Sequence, residues 1–229
     1  MTSVRPPRFG EHIDFGDHQN LMDDVYKHQR YVYDITRKFY LLGRDHLIEQ
    51  LNAGPDDNVL EVGCGTGRNL LKASHLFPDT QFYGIDISQQ MLATATYNAS
   101  RTPRGNQCQF GQGDAAALDT FPLFQRTEFD AIFMSYTLSM IPPWEQALHE
   151  AFALLKPGGK LHIIDFGMQQ GLPKWFRAIL SRWLDLFHVS PRADLPHTLS
   201  ALATREHADV SYHSLYKDYC WYAVLTRPA

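Results

Sequence analysis

The stretch with the most chemical content runs from Val59 to Asn69, Val-Leu-Glu-Val-Gly-Cys-Gly-Thr-Gly-Arg-Asn. An apolar run breaks at Gly63 into a turn that carries Gly65 and Gly67, and a helical pattern starts behind it. Glycines let backbone come close to a ligand, and a helix start behind them favours a carboxylate or phosphate. A second strand-like run, Phe82-Tyr83-Gly84-Ile85-Asp86, ends in an acid. An acid at the end of the next strand can accept hydrogen bonds from ribose hydroxyls. Together these residues describe a nucleoside-cofactor site in an α/β sheet.

Two phosphate-binding patterns do not fit. A dinucleotide turn needs G-x-G-x-x-G. Here the sixth position is Arg68, and the third glycine comes one residue early, at Gly67. The G-x-x-x-x-G-K-[ST] loop is absent. On these residues alone, a glycine-rich turn without a ligand remains the structural alternative.

The elements that must hold the site follow from periodicity. Residues 1–18 carry proline, glycine and charge, and are expected to be irregular. Over residues 20–42, Met22, Val25, Tyr26, Val32, Tyr33, Thr36, Phe39 and Tyr40 recur at helical spacing. Gly43 breaks this pattern, and a short helix over 45–51 follows, so 19–53 reads as a helical cap. Strands and helices then alternate, which implies a mostly parallel sheet. Strands are predicted at 58–62, 81–86, 107–111, 129–134 and 160–165. Helices are predicted at 67–76, at 89–100 behind a Ser88 N-cap, and at 144–155. Lys156-Pro157-Gly158-Gly159 reads as a turn. Two aromatic-rich strands, 210–216 and 220–226, close the chain and add an antiparallel strand.

The string Glu61 to Gly67, E-x-G-x-G-x-G, resembles the first motif of class I S-adenosylmethionine-dependent methyltransferases. The element order over 56–226 and the turn Leu155 to Leu161 resemble the same family. The resemblance implies an α/β fold with a seven-stranded, mostly parallel sheet in a single methyltransferase domain, and S-adenosylmethionine as cofactor, leaving S-adenosylhomocysteine. It also implies residue roles. Gly63, Gly65 and Gly67 would line the methionine end, with Glu61 beneath the loop and Asn69 in the same set. Asp86 would accept from the ribose, while Ile87 and Met91 would pack on adenine. In Gly113-Asp114-Ala115, the acid would accept from the adenine amine and the Ala115 N–H would face the ring. Ser135 would offer backbone to the cofactor's amino group. The chemistry is displacement at a sulfonium methyl, so alignment matters more than a protein nucleophile.

A narrower resemblance is to the diacylglyceryl-homoserine N-methyltransferases of betaine-lipid synthesis. It rests on residues 22–45, on Cys64 to Leu70, and on Ser139-Met140-Ile141-Pro142 and Asp165-Phe166-Gly167. It also rests on Leu172 to Arg177 and Phe187 to Arg192. It implies three methyl transfers to a lipid headgroup amine. Aromatic faces suit the trimethylammonium product, at about 0.5–2 kcal/mol per cation–π contact. Tyr26, Tyr33, Tyr40 and Tyr136 are the candidates, and Asp34 is a candidate to take the amine proton. Arg37 or Arg44 could bind a carboxylate, of the cofactor's methionine or of the acceptor, through paired hydrogen bonds. Over 173–189, Trp175, Phe176, Ile179, Leu180, Trp183, Leu184 and Phe187 form one stripe, with bases largely opposite. That pattern suits a membrane interface, a core helix or a helix at a subunit contact.

Composition bounds the alternatives. The formal net charge of −4 and the absence of a basic run argue against a nucleic-acid partner. The 3 cysteines are widely spaced, and the 11 histidines form no metal-spaced pair, so neither a disulfide framework nor a metal is expected. His162 reads as structural. Residues 1–10 lack the apolar core of a signal peptide, and no apolar run reaches membrane-spanning length. The expected location is cytoplasmic, with peripheral contact at the inner membrane face. A methyltransferase for a soluble amine and a non-catalytic cofactor-binding module are the competing readings.

Overall fold

The structure, a computed structural model, describes residues 41–187 and 189–229. Most of the expected cap, with Tyr26, Tyr33, Asp34, Arg37 and Tyr40, lies outside the described residues. The short helix that ends the cap is α1, Arg44–Glu49.

Seven strands form one sheet: β1 Asn58–Val62, β2 Gln81–Asp86, β3 Cys108–Gln112, β4 Phe129–Ser135, β5 Leu155–Phe166, β6 Asp209–Leu215 and β7 Cys220–Thr226. Their order is β3-β2-β1-β4-β5-β7-β6. The first five are mutually parallel, and β7 runs antiparallel between β5 and β6. All five residues of β1 are buried, as a central parallel strand requires. Strand order reverses between β1 and β4, where open α/β sheets leave a crevice at their carboxyl ends.

Two apolar layers cover the sheet. On one face, α1 (Leu47, Ile48), α2 (Arg68–Leu76; Leu70, Ala73), α3 (Gln89–Ser100; Met91) and α6 (Lys174–Leu186; Leu180, Leu184) pack with Val59, Phe133 and Ile164. On the other, α4 (Phe121–Phe124), α5 (Trp144–Ala153) and α7 (Leu195–Glu206) pack with Leu60, Ile132 and Ile163. Alternation along β1 therefore turns Leu60 and Val62 to the second layer and Glu61 to the first.

Two local features differ from the expectation. The helix expected over 144–155 ends at Ala153, and β5 begins at Leu155, upstream of the Pro-Gly-Gly turn. Leu155 pairs with Phe129, and Lys160 with Ala131, so residues 156–159 bulge out of one continuous strand. Gly158 has φ +75°, and its N–H reaches the Arg227 carbonyl at 3.1 Å, which holds the bulge. Helix α7 was not foreseen. The terminal hairpin forms as expected, with Tyr216, Lys217 and Asp218 all left-handed in its turn, and β7 is the antiparallel strand that joins the parallel ones.

His162 is buried on β5, with Nδ1 2.8 Å from the Tyr222 hydroxyl, in line with a structural role. Burial, then the nearby Lys160 charge, lowers its pKa to about 4. The folded protein keeps the ring neutral, whereas the unfolded chain takes up a proton near the ordinary imidazole value of about 6.5. Stability should be full above that value and fall as pH drops from about 6.5 towards 4, by up to roughly 3 kcal/mol. Thermal denaturation across this window should show the slope, and His162→Gln should flatten it. An unchanged slope would assign the acid sensitivity to other groups.

Candidate functional site

The glycine turn joins β1 to α2. Gly63, Gly65 and Gly67 have φ +77°, +54° and +75°, a region that other residues enter only with strain. A Cβ on Gly63 would stand 2.4 Å from Thr137 Cγ2, so this position is closed to a side chain by geometry as well as by backbone angle. The turn is tied to the next strand: the Gly63 and Cys64 N–H groups donate to the Ile85 carbonyl at 2.8 and 2.9 Å.

Asp86 locks the arrangement. One carboxylate oxygen accepts the Gly65 N–H at 2.7 Å, and the other accepts the Ser88 N–H at 2.9 Å. Ser88 caps α3 as expected, its hydroxyl accepting from the Met91 N–H at 3.4 Å. A carboxylate presents about four acceptor directions, so holding the turn is compatible with binding ribose. The Gly113 N–H donates to the Asp86 carbonyl at 3.2 Å and brings the third strand's exit alongside. There the Asp114 side chain accepts the Ala116 N–H at 2.9 Å, and Ala115 is buried. Ile87 sits at the same edge, its carbonyl accepting from Gln112 Nε2 at 3.0 Å.

Glu61 is 1% exposed beneath the turn, and Asn69 Nδ2 donates to its Oε1 at 2.7 Å. The Asn69 side-chain oxygen in turn accepts from Arg68 at 3.1 Å. Cys64 is no nucleophile here. Burial pushes its thiol well up, and the carboxylates of Asp86 and Glu61 push it further. Arg44 opens α1, its Nε donating to the Leu41 carbonyl at 3.3 Å. The adjacent Asp45 pairs with Arg68 and Lys72 at 2.6 and 2.7 Å, docking α1 on the first turns of α2.

Past β4, Ser135 is buried, and its hydroxyl has no hydrogen-bond partner among the described residues. Thr137 was not singled out by sequence. Its hydroxyl donates to the Val62 carbonyl at 3.1 Å, fastening the exits of β1 and β4 together. Tyr136 is left-handed and buried. Its hydroxyl donates to the Leu42 carbonyl at 2.6 Å, and its ring stands edge-on to Phe166 with centroids 4.6 Å apart. Burial, with Cys220 beside it, holds the phenol well above its ordinary range, so it stays protonated.

The strings around 139, 165 and 190 converge. Buried Asp165 accepts the Ser139 N–H at 3.0 Å and the Phe166 N–H at 2.8 Å. Arg192 donates to the Leu138 and Ile141 carbonyls at 3.0 and 2.7 Å, and the Ser190 N–H donates to the Ser139 carbonyl at 2.9 Å. The segment after α6 therefore grips the loop after β4. Sequence quoted these strings but gave Asp165 and Arg192 no role, because their partners lie far away along the chain. Helix α6 itself is split. Leu180 and Leu184 are buried, whereas Trp175, Ile179 and Leu186 are 67, 63 and 64% exposed. Among the described residues, no helix is long and apolar enough to cross a membrane, and no group of three or more His, Cys, Asp or Glu could hold a metal.

Comparison with known proteins agrees with this architecture. Residues 59–159 match the methyltransferase domain family. The demethylmenaquinone methyltransferase of Symbiobacterium thermophilum is 31% identical over 114 residues, covering 49% of this chain and 44% of that protein. Its namesake from Listeria monocytogenes is 28% identical over 142 residues, covering 62% of this chain and 57% of that protein. The chain thus spans about half the length of the curated relatives it matches. Among solved structures, Haemonchus contortus phosphoethanolamine N-methyltransferase 2 in complex with S-adenosyl-L-methionine aligns with a TM-score of 0.73 at 14% identity. That alignment covers 95% of this chain and 61% of that one. The glycine turn, its anchoring acid and the strand order thus stand in a class I methyltransferase fold, within which residues 59–159 are similar to the methyltransferase domain family.

Proposed function

We propose that the protein is an S-adenosylmethionine-dependent N-methyltransferase that acts on the homoserine amine of diacylglyceryl-homoserine and carries it to the trimethylated betaine. The observation that carries the cofactor reading is the left-handed glycine turn held by the Asp86 carboxylate. The Ser135 hydroxyl, buried and without a hydrogen-bond partner among the described residues, fits an occupant with polar groups at the β4 exit. When bound, S-adenosylmethionine supplies a methyl group already activated on a sulfonium.

In this reading the chain's residues bind, orient and exclude water. Gly63, Gly65 and Gly67 give backbone access at the methionine end, and Arg44 pairs with its carboxylate. Asp86 accepts from the ribose. Ile87 and Met91 pack on adenine, with Asp114 and Ala115 reading its amine edge. Glu61 and Asn69 brace the turn from below. Tyr136 walls the acceptor side, while Tyr26, Tyr33 and Tyr40 present aromatic faces to the growing ammonium and Asp34 receives its proton. Ordering donor and acceptor in this way can lower the barrier by up to about 7–11 kcal/mol. The exposed row Trp175, Ile179 and Leu186 supports a lipid acceptor, because it lets α6 rest at an interface without a spanning segment. A second reading takes its acceptor from the name of the curated relatives, demethylmenaquinone, which the same row would also serve.

Asp86→Ala should weaken S-adenosylhomocysteine affinity about tenfold or more by calorimetry, and Gly65→Val should abolish it. Affinity unchanged in both would remove the cofactor from this turn. Labelled cofactor offered diacylglyceryl-homoserine, demethylmenaquinone and soluble amines, with products read by mass spectrometry, should mark the homoserine lipid. Label on the quinone would establish the second reading, and label confined to soluble amines would end both. Trp175→Ser with Ile179→Ser should reduce vesicle co-sedimentation and leave the fold intact, whereas Leu184→Ala should cost about 2–5 kcal/mol of stability. Undiminished vesicle binding in the double variant would exclude α6 as the contact.

A further inference from the structure

Beside the exposed row of α6 lies a groove of about 430 Å³, between that helix, the exit of β5 and Pro191. Lys174, Arg177 and Asp185 line it, with Gln169 and Ser181 between them. Among the described residues, none of the three charged side chains has an ion-pair partner. Helix α6 carries Lys174, Arg177 and Arg182 against the single acid Asp185, in a chain whose net charge is −4. It is a local basic patch on an acidic protein.

Helical geometry puts the two features side by side. Trp175, Ile179 and Leu186 fall on one strip, with Arg182 among them; Lys174, Ser181 and Asp185 fall on the neighbouring strip that faces the groove, and Arg177 lies further round, at the groove's inner side with Leu184. If the apolar strip rests in an interface, the groove opens at headgroup depth. Apolar side chains at the acyl boundary with cations beside them are the arrangement that binds acidic lipid surfaces. A groove of this volume is large enough for a small headgroup.

We propose that this groove binds the phosphate of an anionic phospholipid, with Lys174 and Arg177 as its cationic partners. The bound lipid seats α6 so that the C-terminal edge of the sheet faces the membrane. This is a site for the lipid that surrounds the acceptor, distinct from the acceptor itself. It rests on the reading that α6 meets a lipid surface, and not on which lipid is methylated. Asp185 sets a limit, since its carboxylate repels a phosphate placed near the far end of the groove.

The test is vesicle binding by the full chain, with phosphatidylcholine vesicles against equimolar phosphatidylcholine–phosphatidylglycerol vesicles. A cation near an acidic surface contributes about fivefold, so the pair should give a preference of roughly 25-fold for the acidic vesicles. Lys174→Gln with Arg177→Gln should remove that roughly 25-fold share and leave only what Arg182 contributes. Lys160→Gln, midway along β5 and outside the groove's lining, should keep the preference. Asp185→Asn should strengthen it. No preference in the unaltered protein, or a preference that the double substitution leaves unchanged, would overturn the proposal. Soluble glycerol phosphate that saturates the groove without vesicles, with no preference between the vesicles, would make the ligand a free phosphate ester and overturn the membrane assignment. S-adenosylhomocysteine affinity is read on every variant. Its loss in the double variant would also overturn the proposal, by placing the two cations at the cofactor. Intact affinity with lost selectivity supports it, whichever acceptor is methylated.

Discussion

One side chain sets the geometry of the site. The Asp86 carboxylate, at the end of β2, accepts the N–H of Gly65 in the turn after β1. Backbone N–H groups need partners wherever water is scarce, and the Gly65 N–H finds its partner outside the turn, on Asp86. By binding Gly65 and Ser88 together, Asp86 fixes the turn and the start of α3 to one point. A charge-assisted bond of this kind is shorter and stronger than a neutral one, so a small set of contacts can hold a glycine-rich loop that has much conformational entropy to lose. The residue that would read ribose is thus also the residue that shapes the loop around it.

From that point the fold extends the site outward through long-range pairs. Thr137 fastens the exit of β4 to that of β1, and it also fills the space that makes glycine necessary at position 63. Asp165 and Arg192 then hold residues 138–141 from two sides, the first by accepting an N–H and the second by donating to two carbonyls. Since Arg192 follows α6 closely, the exposed face of that helix is mechanically linked to the edge where the acceptor would enter. Burial raises the Asp165 pKa, against the pull of its hydrogen bonds and the Arg192 charge, so this carboxylate is held in place by its surroundings at some cost. The apolar stripe of α6 does two jobs: Leu180 and Leu184 anchor it, and Trp175, Ile179 and Leu186 face out.

Local features were legible in the sequence, and non-local ones were not. The glycine turn, the Ser88 cap, Asp86 at a strand end and the terminal hairpin each depend on neighbours within a few residues, and each stands where it was expected. The bulge in β5 was hidden because what keeps Leu155 in the strand is Phe129, and what satisfies Gly158 is Arg227. Helix α7 carried a readable spacing in Leu195, Leu199, Leu202 and Ala203, but Pro196 and the polar residues around it obscured the start. The stripe of α6 was visible as a pattern. Which half of it faces the core depends on Ile164, Phe166 and the other residues that cover it, and periodicity alone does not contain that information.

The central claim is that the turn locked by Asp86 receives the adenosyl cofactor. A crystal structure of the protein grown with S-adenosylhomocysteine tests it most directly. The account predicts density across the C-terminal ends of β1 and β2, with both ribose hydroxyls within hydrogen-bonding distance of the Asp86 carboxylate and the amino-acid end against Gly63–Gly67. Density at any other place on the chain, with Asp86 still holding Gly65 and no ribose beside it, would contradict the account.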